Sequence, residues 1–296
     1  MHPDIPIPPK PITERPFSRM DKPFPWPNGA RCAVMITFDF DAETLWFSRD
    51  PDNVRRPGVL SQGQYGGRVG VHKVMDLMTE EEIKATFFVP GWTAQRYPQA
   101  VERILKDGHE LGHHGYLHEW IDPDFPDKEE EAMERGLAAL LEVGGIRPKG
   151  FRSPAGETSP NMIRMLAEKG FLYDSTLMDG IVPYRHELAD GRPGPIEIPW
   201  HWSIDDAPYA LFSVRNPRPI MTNSHVLEVW LDEFREIYRW GGLVDVVMHP
   251  QISGRPSRIA ALRQFIQEVR KFPGVWFATG TEIAEAYAAA EAGLIK

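Results

Sequence analysis

The stretch Val34-Met-Ile-Thr-Phe-Asp-Phe-Asp-Ala-Glu43 passes from apolar residues into three acids. Residues 32–38 are almost wholly apolar and partly β-branched, the pattern of a strand covered on both faces. Asp39 and Asp41 therefore fall at its C-terminal end. Acids pack badly there, yet in barrels and open sheets of parallel strands that end is where ligands bind and catalytic side chains collect.

Downstream, a regular alternation follows. Residues 70–82 have helical period and lead to a strand Ala85–Val89 with a turn at Pro90-Gly91. A helix over 93–106 precedes His109-Glu-Leu-Gly-His-His114, and an amphipathic segment 128–142 precedes Lys149-Gly-Phe151. Ser159-Pro160 opens a helix with a serine cap and a first-turn proline. Further strands are expected at 171–173, 196–198, 243–248 and 275–278, with helices over 224–239 and 256–270 and an alanine-rich helix last. Seven or eight such strand–helix units close most simply into a single-domain (β/α) barrel over 30–296, an open doubly wound sheet being the alternative.

Size and composition agree. The chain has 296 residues, 42% hydrophobic and 25% charged, and no apolar run of the ~20 residues a membrane helix needs. A net charge of −9 without a basic stripe argues against nucleic acid. Residues 1–29 form a proline-rich arm with neither the basic start nor the apolar centre of a signal peptide, so a cytoplasmic setting is expected. The lone Cys32, inside the first strand, reads as a buried inert thiol. Residues 44–69, rich in glycine, proline and arginine, read as a loop and a candidate lid.

The polar residues that stand out are Asp39, Asp41, His114, His118, Arg152 and His249, each at or near the C-terminal end of a predicted strand. Any one of them reads more readily as a hydrogen-bonded core or surface group, but six at one rim do not. His114 and His118 have the i, i+4 spacing that lets two imidazoles face one metal if the segment turns helically after its strand. With one of the two acids they make a set of two histidines and a carboxylate, suited to zinc and also to iron, cobalt or nickel. The other acid is then free to act as a base, Arg152 to hold it ionised, and His249 to protonate a leaving nitrogen. Such a set describes hydrolysis of a carbon–nitrogen bond. His109 reads as structural, and His113 points to the opposite face from His114.

The set resembles the polysaccharide deacetylase family, the NodB-homology or carbohydrate esterase family 4 fold, from about residue 30 to residue 285. Thr37-Phe-Asp-Phe-Asp41 is similar to its first motif, implying Asp39 as base and Asp41 as metal ligand. His114 to His118 resembles the second, implying two ligands. Arg152-Ser-Pro-Ala-Gly156 resembles the third, implying the arginine that orients the base. Trp202-Ser-Ile-Asp-Asp206 is similar to the fourth, and Val246-Val-Met-His249 to the last, implying the general acid. Substrate contacts are expected from Trp46, Tyr116, Pro154, Glu157, Trp202 and Asp206.

Phe40 between the acids and Gly115 after His114 depart from the secreted members. Both resemble an intracellular subgroup of peptidoglycan-deacetylase-like proteins, cyclic imide hydrolases and allantoinase-like enzymes. Some allantoinase-like members work without metal, and the subgroup commonly forms tetramers. The resemblance thus implies a zinc-type hydrolase of a small amide or cyclic imide. Deacetylation of an acetylated sugar or peptidoglycan-type substrate is the second reading, and a non-catalytic carbohydrate-binding protein the third.

Overall fold

The computed structural model describes residues 23–215 and 217–295. Among the described residues, nine strands form one sheet: β1 (Cys32–Asp39), β2 (Thr86–Val89), β3 (Glu110–His113), β4 (Gly150–Phe151), β5 (Tyr173–Asp174), β6 (Tyr184–Glu187), β7 (Pro193–Glu197), β8 (Leu243–Met248) and β9 (Val275–Phe277). Their order is β6-β7-β5-β4-β3-β2-β1-β8, with β9 pairing the start of β1. Every pairing is parallel except the β6–β7 hairpin. The sheet curls into a distorted (β/α) barrel, and a bridge between Asp205 and Val247 draws the segment after β7 against β8. The β6 strand was not anticipated: Arg185 and Glu187 are polar, and the strand bulges between them.

Period-2 alternation decides what the barrel interior holds. In β1, Val34, Ile36 and Phe38 pack outward against the surrounding helices, whereas Ala33 and Met35 join Phe88, Tyr173, Ile196 and Leu243 inside. Continuing the inward row along β1 brings Thr37 and then Asp39. The same count in β8 runs Leu243, Asp245, Val247, His249. Gly112 and Gly150 sit where a Cβ would stand 2.5 Å from the Phe88 ring and 1.9 Å from the Tyr173 ring, so only glycine leaves room for those rings. The lower barrel is thus apolar and filled, and the polar groups emerge on top of it.

Residues 44–69 are helical, not a loop. They form helices at Thr44–Arg49 and Pro57–Tyr65 with a 3-10 turn at Pro51–Arg55, and a π turn at Gly66–Gly70 runs into the helix Val71–Glu80. Proline and glycine misled the reading because Pro51 and Pro57 occupy first helical turns, where proline is tolerated. The glycines answer to contact: a Cβ on Gly63 would lie 2.5 Å from the Ala42 carbonyl oxygen, and one on Gly70 2.0 Å from that of Pro250. The segment is a packed wall of the rim. The expected helix 93–106 is likewise two helices, divided at Tyr97 before Pro98.

The proline-rich arm lies outside the described residues through position 22. Beyond it Phe24 packs at a tilt against Trp26, whose indole Nε1 donates to the Gly241 carbonyl at 3.0 Å, fastening the chain below the barrel. Cys32 is buried, and that burial pushes its thiol to about 12. Among the described residues no helix is long and apolar enough to cross a membrane.

Candidate active site

Arg152 enters from the end of β4 and is 1% exposed. All five of its N–H donors are used. Nε donates to the Ser175 carbonyl (3.0 Å), Nη1 to Thr37 Oγ1 (2.8 Å) and Asp39 Oδ1 (3.0 Å), and Nη2 to Ser175 Oγ (2.8 Å) and Asp245 Oδ2 (2.5 Å). Its guanidinium also lies 4.3 Å from the centre of the Phe88 ring. A buried arginine so bound is a rigid fork. Burial favours a protonated Asp39, but Arg152, with His114 and His249, outweighs it and holds the carboxyl below its usual range. Asp39 is therefore an ionised, oriented acceptor.

Asp245 was not anticipated. It sits in the middle of a buried strand, shares Arg152 with Asp39, and accepts from Thr37 Oγ1 at 3.0 Å. Burial raises its pKa against the opposing pull of Arg152.

The expected ligands converge. Asp41, His114 and His118 are buried, and one ligand atom from each lies within 4.8 Å of the others. His114 Nε2 is 3.5 Å from Asp41 Oδ1, and His118 Nε2 is 3.9 Å from Asp41 Oδ2. The segment between the histidines does not turn helically. Gly115 (φ +72) and His118 (φ +61) both take the left-handed conformation, and that double reversal brings the second ring back beside the first. Left-handed backbone on a histidine stores strain of about 1 kcal/mol or more, which fits a functional position.

Outer hydrogen bonds set the tautomers. His114 Nδ1 lies 2.7 Å from the Arg152 carbonyl oxygen and so must donate to it. Ser48 Oγ donates to the Leu45 carbonyl and accepts from His118 Nδ1 at 3.0 Å. Both Nε2 lone pairs then face the centre, the arrangement metal-ligating histidines adopt. Burial lowers the pKa of both rings and keeps them neutral. Asp41 Oδ1 and Oδ2 and His114 Nε2 are buried without a hydrogen-bond partner among the described residues. An orphaned buried polar atom costs about 1–3 kcal/mol and more when charged, so the donor set fits a divalent cation, which would satisfy all three at once. Without one, burial, with Asp39 adding to it, pushes Asp41 to about 8.

His249 is built oppositely. Its Nδ1 lies 2.7 Å from Asp206 Oδ1, while Asp206 Oδ2 accepts from the His249 backbone N–H (3.0 Å) and from Ser253 Oγ (2.5 Å). Burial alone would depress its pKa, but Asp206, Asp205 and Asp41 together hold it well above the usual histidine value. Two neutral histidines and one charged one within a single rim separate ligand from acid. The substrate contact expected of Asp206 is corrected here: both of its oxygens are taken, and it positions His249.

A cavity of about 70 Å³ opens onto this centre, lined by Asp39, His118, Trp200, Trp202, Asp205 and His249 among others. Of the other expected substrate contacts only Trp202, 40% exposed, borders it. Trp46 is buried beneath the wider cleft. Tyr116 bonds Gln95 and lies under Arg135, Pro154 is buried beside Gly115, and Glu157 is exposed and accepts from the Thr158 N–H. Arg49, Trp120 and Trp200 take their place. His109, accepting from the Ala85 N–H, and His113, against the Met133 carbonyl, lie away from the centre.

The polysaccharide deacetylase family pattern matches residues 62–173. A putative polysaccharide deacetylase from Mycobacterium smegmatis superposes with a TM-score of 0.87 at 41% identity, over 91% of this chain and 94% of that one. The chain belongs to the polysaccharide deacetylase family. This deacetylase-family chain is also 26% identical to a peptidoglycan deacetylase from Helicobacter pylori, over 85% of its own length and 94% of the relative's. An allantoinase structure matches at 26% identity with a TM-score of 0.78, covering 93% and 98% of the two chains. The family hydrolyses carbon–nitrogen bonds, and this chain is a hydrolase of that class.

Protein purified without chelator is expected to carry about one divalent ion per chain, and His118→Ala to lose most of it, by elemental analysis. Full occupancy in that variant would exclude His118 as a ligand.

Proposed function

We propose that the chain is a divalent-metal hydrolase, zinc being the ion best suited to a two-histidine, one-carboxylate set, and that it acts on a small amide or cyclic imide. The observation that carries this reading is the converging set Asp41, His114 and His118, with both Asp41 oxygens and His114 Nε2 unpartnered among the described residues, flanked by a carboxylate fixed by Arg152 and an imidazolium fixed by Asp206. When bound, a divalent ion polarises the scissile carbonyl and lets water ionise near neutral pH.

The chain's own residues do the rest. Asp39, kept ionised and aimed by the hydrogen bond from Arg152 to its Oδ1, takes the proton of the attacking water through Oδ2. His249 keeps its proton at Nε2, 3.7 Å from Asp41 Oδ2, and delivers it to the departing nitrogen. Trp200 and Trp202, packed edge to face, and Leu45 form the apolar side of the cavity and exclude bulk water.

The reaction cavity is small enough to hold one acyl or imide group, in keeping with a small substrate and with the allantoinase likeness. Deacetylation of an N-acetylated sugar is the second reading, favoured by the peptidoglycan deacetylase relative and by the wide cleft outside the cavity. A panel of succinimide, glutarimide, hydantoin, allantoin and acetylated chito-oligomers, scored for ring opening and acetate release, decides between them. Turnover of the oligomers alone would overturn the first reading. His249→Ala is expected to lower kcat about 100-fold on whichever substrate is turned over, with the smallest loss for substrates whose leaving nitrogen needs no proton. An unchanged rate would remove His249 as the acid.

A further inference from the structure

Next to the reaction cavity lies a much larger cleft, of about 1150 Å³, between the helical wall 44–65 and residues 211–215, 217 and 218. Four arginines line it: Arg49, Arg56, Arg215 and Arg218. Its one carboxylate among the lining residues, Asp50, is paired with Arg215. Among the described residues, the side chains of Arg49, Arg56 and Arg218 have no ion pair and no hydrogen bond. Arg49 borders both the cleft and the reaction cavity, as does Trp120, which is 55% exposed.

This concentration of positive charge runs against the chain as a whole, whose net charge is −9. Several other surface arginines are matched locally, as Arg55 is with Asp52, Arg164 with Glu168 and Arg235 with Asp232, while the unpaired Arg96 and Arg255 lie singly over the Tyr97 and Tyr65 rings. In the cleft they are left to repel one another: the surrounding walls and then the Arg218 charge lower the Arg49 pKa, even though its side chain reaches solvent. Unpaired guanidinium groups lining one cleft offer forked donors to a carboxylate or phosphate, and in an acidic protein they are also what draws an anion to the mouth.

We propose that the substrate carries an anionic group, a carboxylate or a phosphate, which Arg49, Arg56 and Arg218 bind in this cleft while the bond to be cut enters the adjoining cavity. The exposed Trp120 supplies a flat wall for the body of the substrate between the two ends. This inference rests on the hydrolase reading above, and it adds a specificity that neither reading of the substrate contains.

The test compares matched pairs on the metal-loaded protein: hydantoin-5-acetic acid against its acetamide, and N-acetylglucosamine 6-phosphate against N-acetylglucosamine. Binding is measured by calorimetry and hydrolysis separately. One anionic member is expected to bind at least about tenfold more tightly than its neutral partner, the worth of one or two charge-assisted hydrogen bonds. The preference should shrink as salt is raised from 50 to about 500 mM, as expected for exposed charges. The carboxylate and phosphate pairs tell the two sources apart. Arg218→Gln and Arg56→Gln should each reduce the ratio of anionic to neutral affinity about tenfold, and Arg218→Lys should restore part of it. Equal affinity within both pairs, or a preference unaltered in both glutamine variants, overturns the anion subsite. Hydrolysis of the neutral members without any such preference would leave the hydrolase standing and remove only this inference. Anion binding without hydrolysis of any substrate would do the reverse.

Discussion

Asp39→Asn is expected to lower kcat about ten-thousand-fold, near the upper limit for loss of a general base, while the protein keeps its metal. The substitution is nearly isosteric, and the amide oxygen can still accept from Arg152 Nη1, now 3.0 Å from Oδ1. What disappears is a group able to take a proton. The two acids of the first strand are close neighbours, and distance alone separates them poorly: His114 Nε2 is 3.5 Å from Asp41 and 3.9 Å from Asp39. Their partners separate them. Asp39 has one oxygen occupied by an arginine, whereas neither oxygen of Asp41 has a hydrogen bond. A cation would be drawn to the second. Steady-state kinetics together with elemental analysis checks the assignment. Loss of metal with the activity would exchange the two roles.

How far this centre could be read without coordinates depended on whether a residue broke a local pattern. Asp39 and Asp41 end an apolar run abruptly, and Arg152 and His249 follow short strands directly, so each stood out. Alternation by two then places Asp39, Asp245 and His249 on inward rows. Asp245 was passed over because it lies inside Leu243-Val-Asp-Val-Val-Met248, where the rest of the strand masked it. A carboxylate at the centre of a fully buried strand was the available signal, since such a charge needs a partner. The partner of His118 gave no signal at all. Ser48 reaches it only because residues 44–49 are helical, and that helix is short, proline-flanked and stabilised by packing against the rim. The same misreading of glycine and proline as breakers hid the wall that carries Arg49 and Arg56. Local propensity is a weak guide where a close backbone approach, such as Gly63 against Ala42, selects the residue.

Arg152→Met should destabilise the fold by about 3–5 kcal/mol, the range measured when one partner of a buried ion pair is removed. The loss is large because one guanidinium answers for two carboxylates, Asp39 and Asp245, both nearly inaccessible to water. With the arginine gone, the largest pull against burial is lost, both acids shift toward the protonated form, and the base is weakened along with the stability. A double variant separates these effects. In Arg152→Met with Asp245→Leu, the second uncompensated acid is removed and the vacated space refilled with apolar atoms, an exchange that is often neutral for stability. Thermal unfolding should therefore recover most of the deficit. Activity should not, because Asp39 still lacks the fork that keeps it ionised and aimed. Recovery of kcat along with stability would mean that Arg152 serves the fold alone and that Asp39 is held by something else. Failure to recover stability would place the cost in the lost contacts with Thr37, Ser175 and the Phe88 ring instead of in the stranded charges.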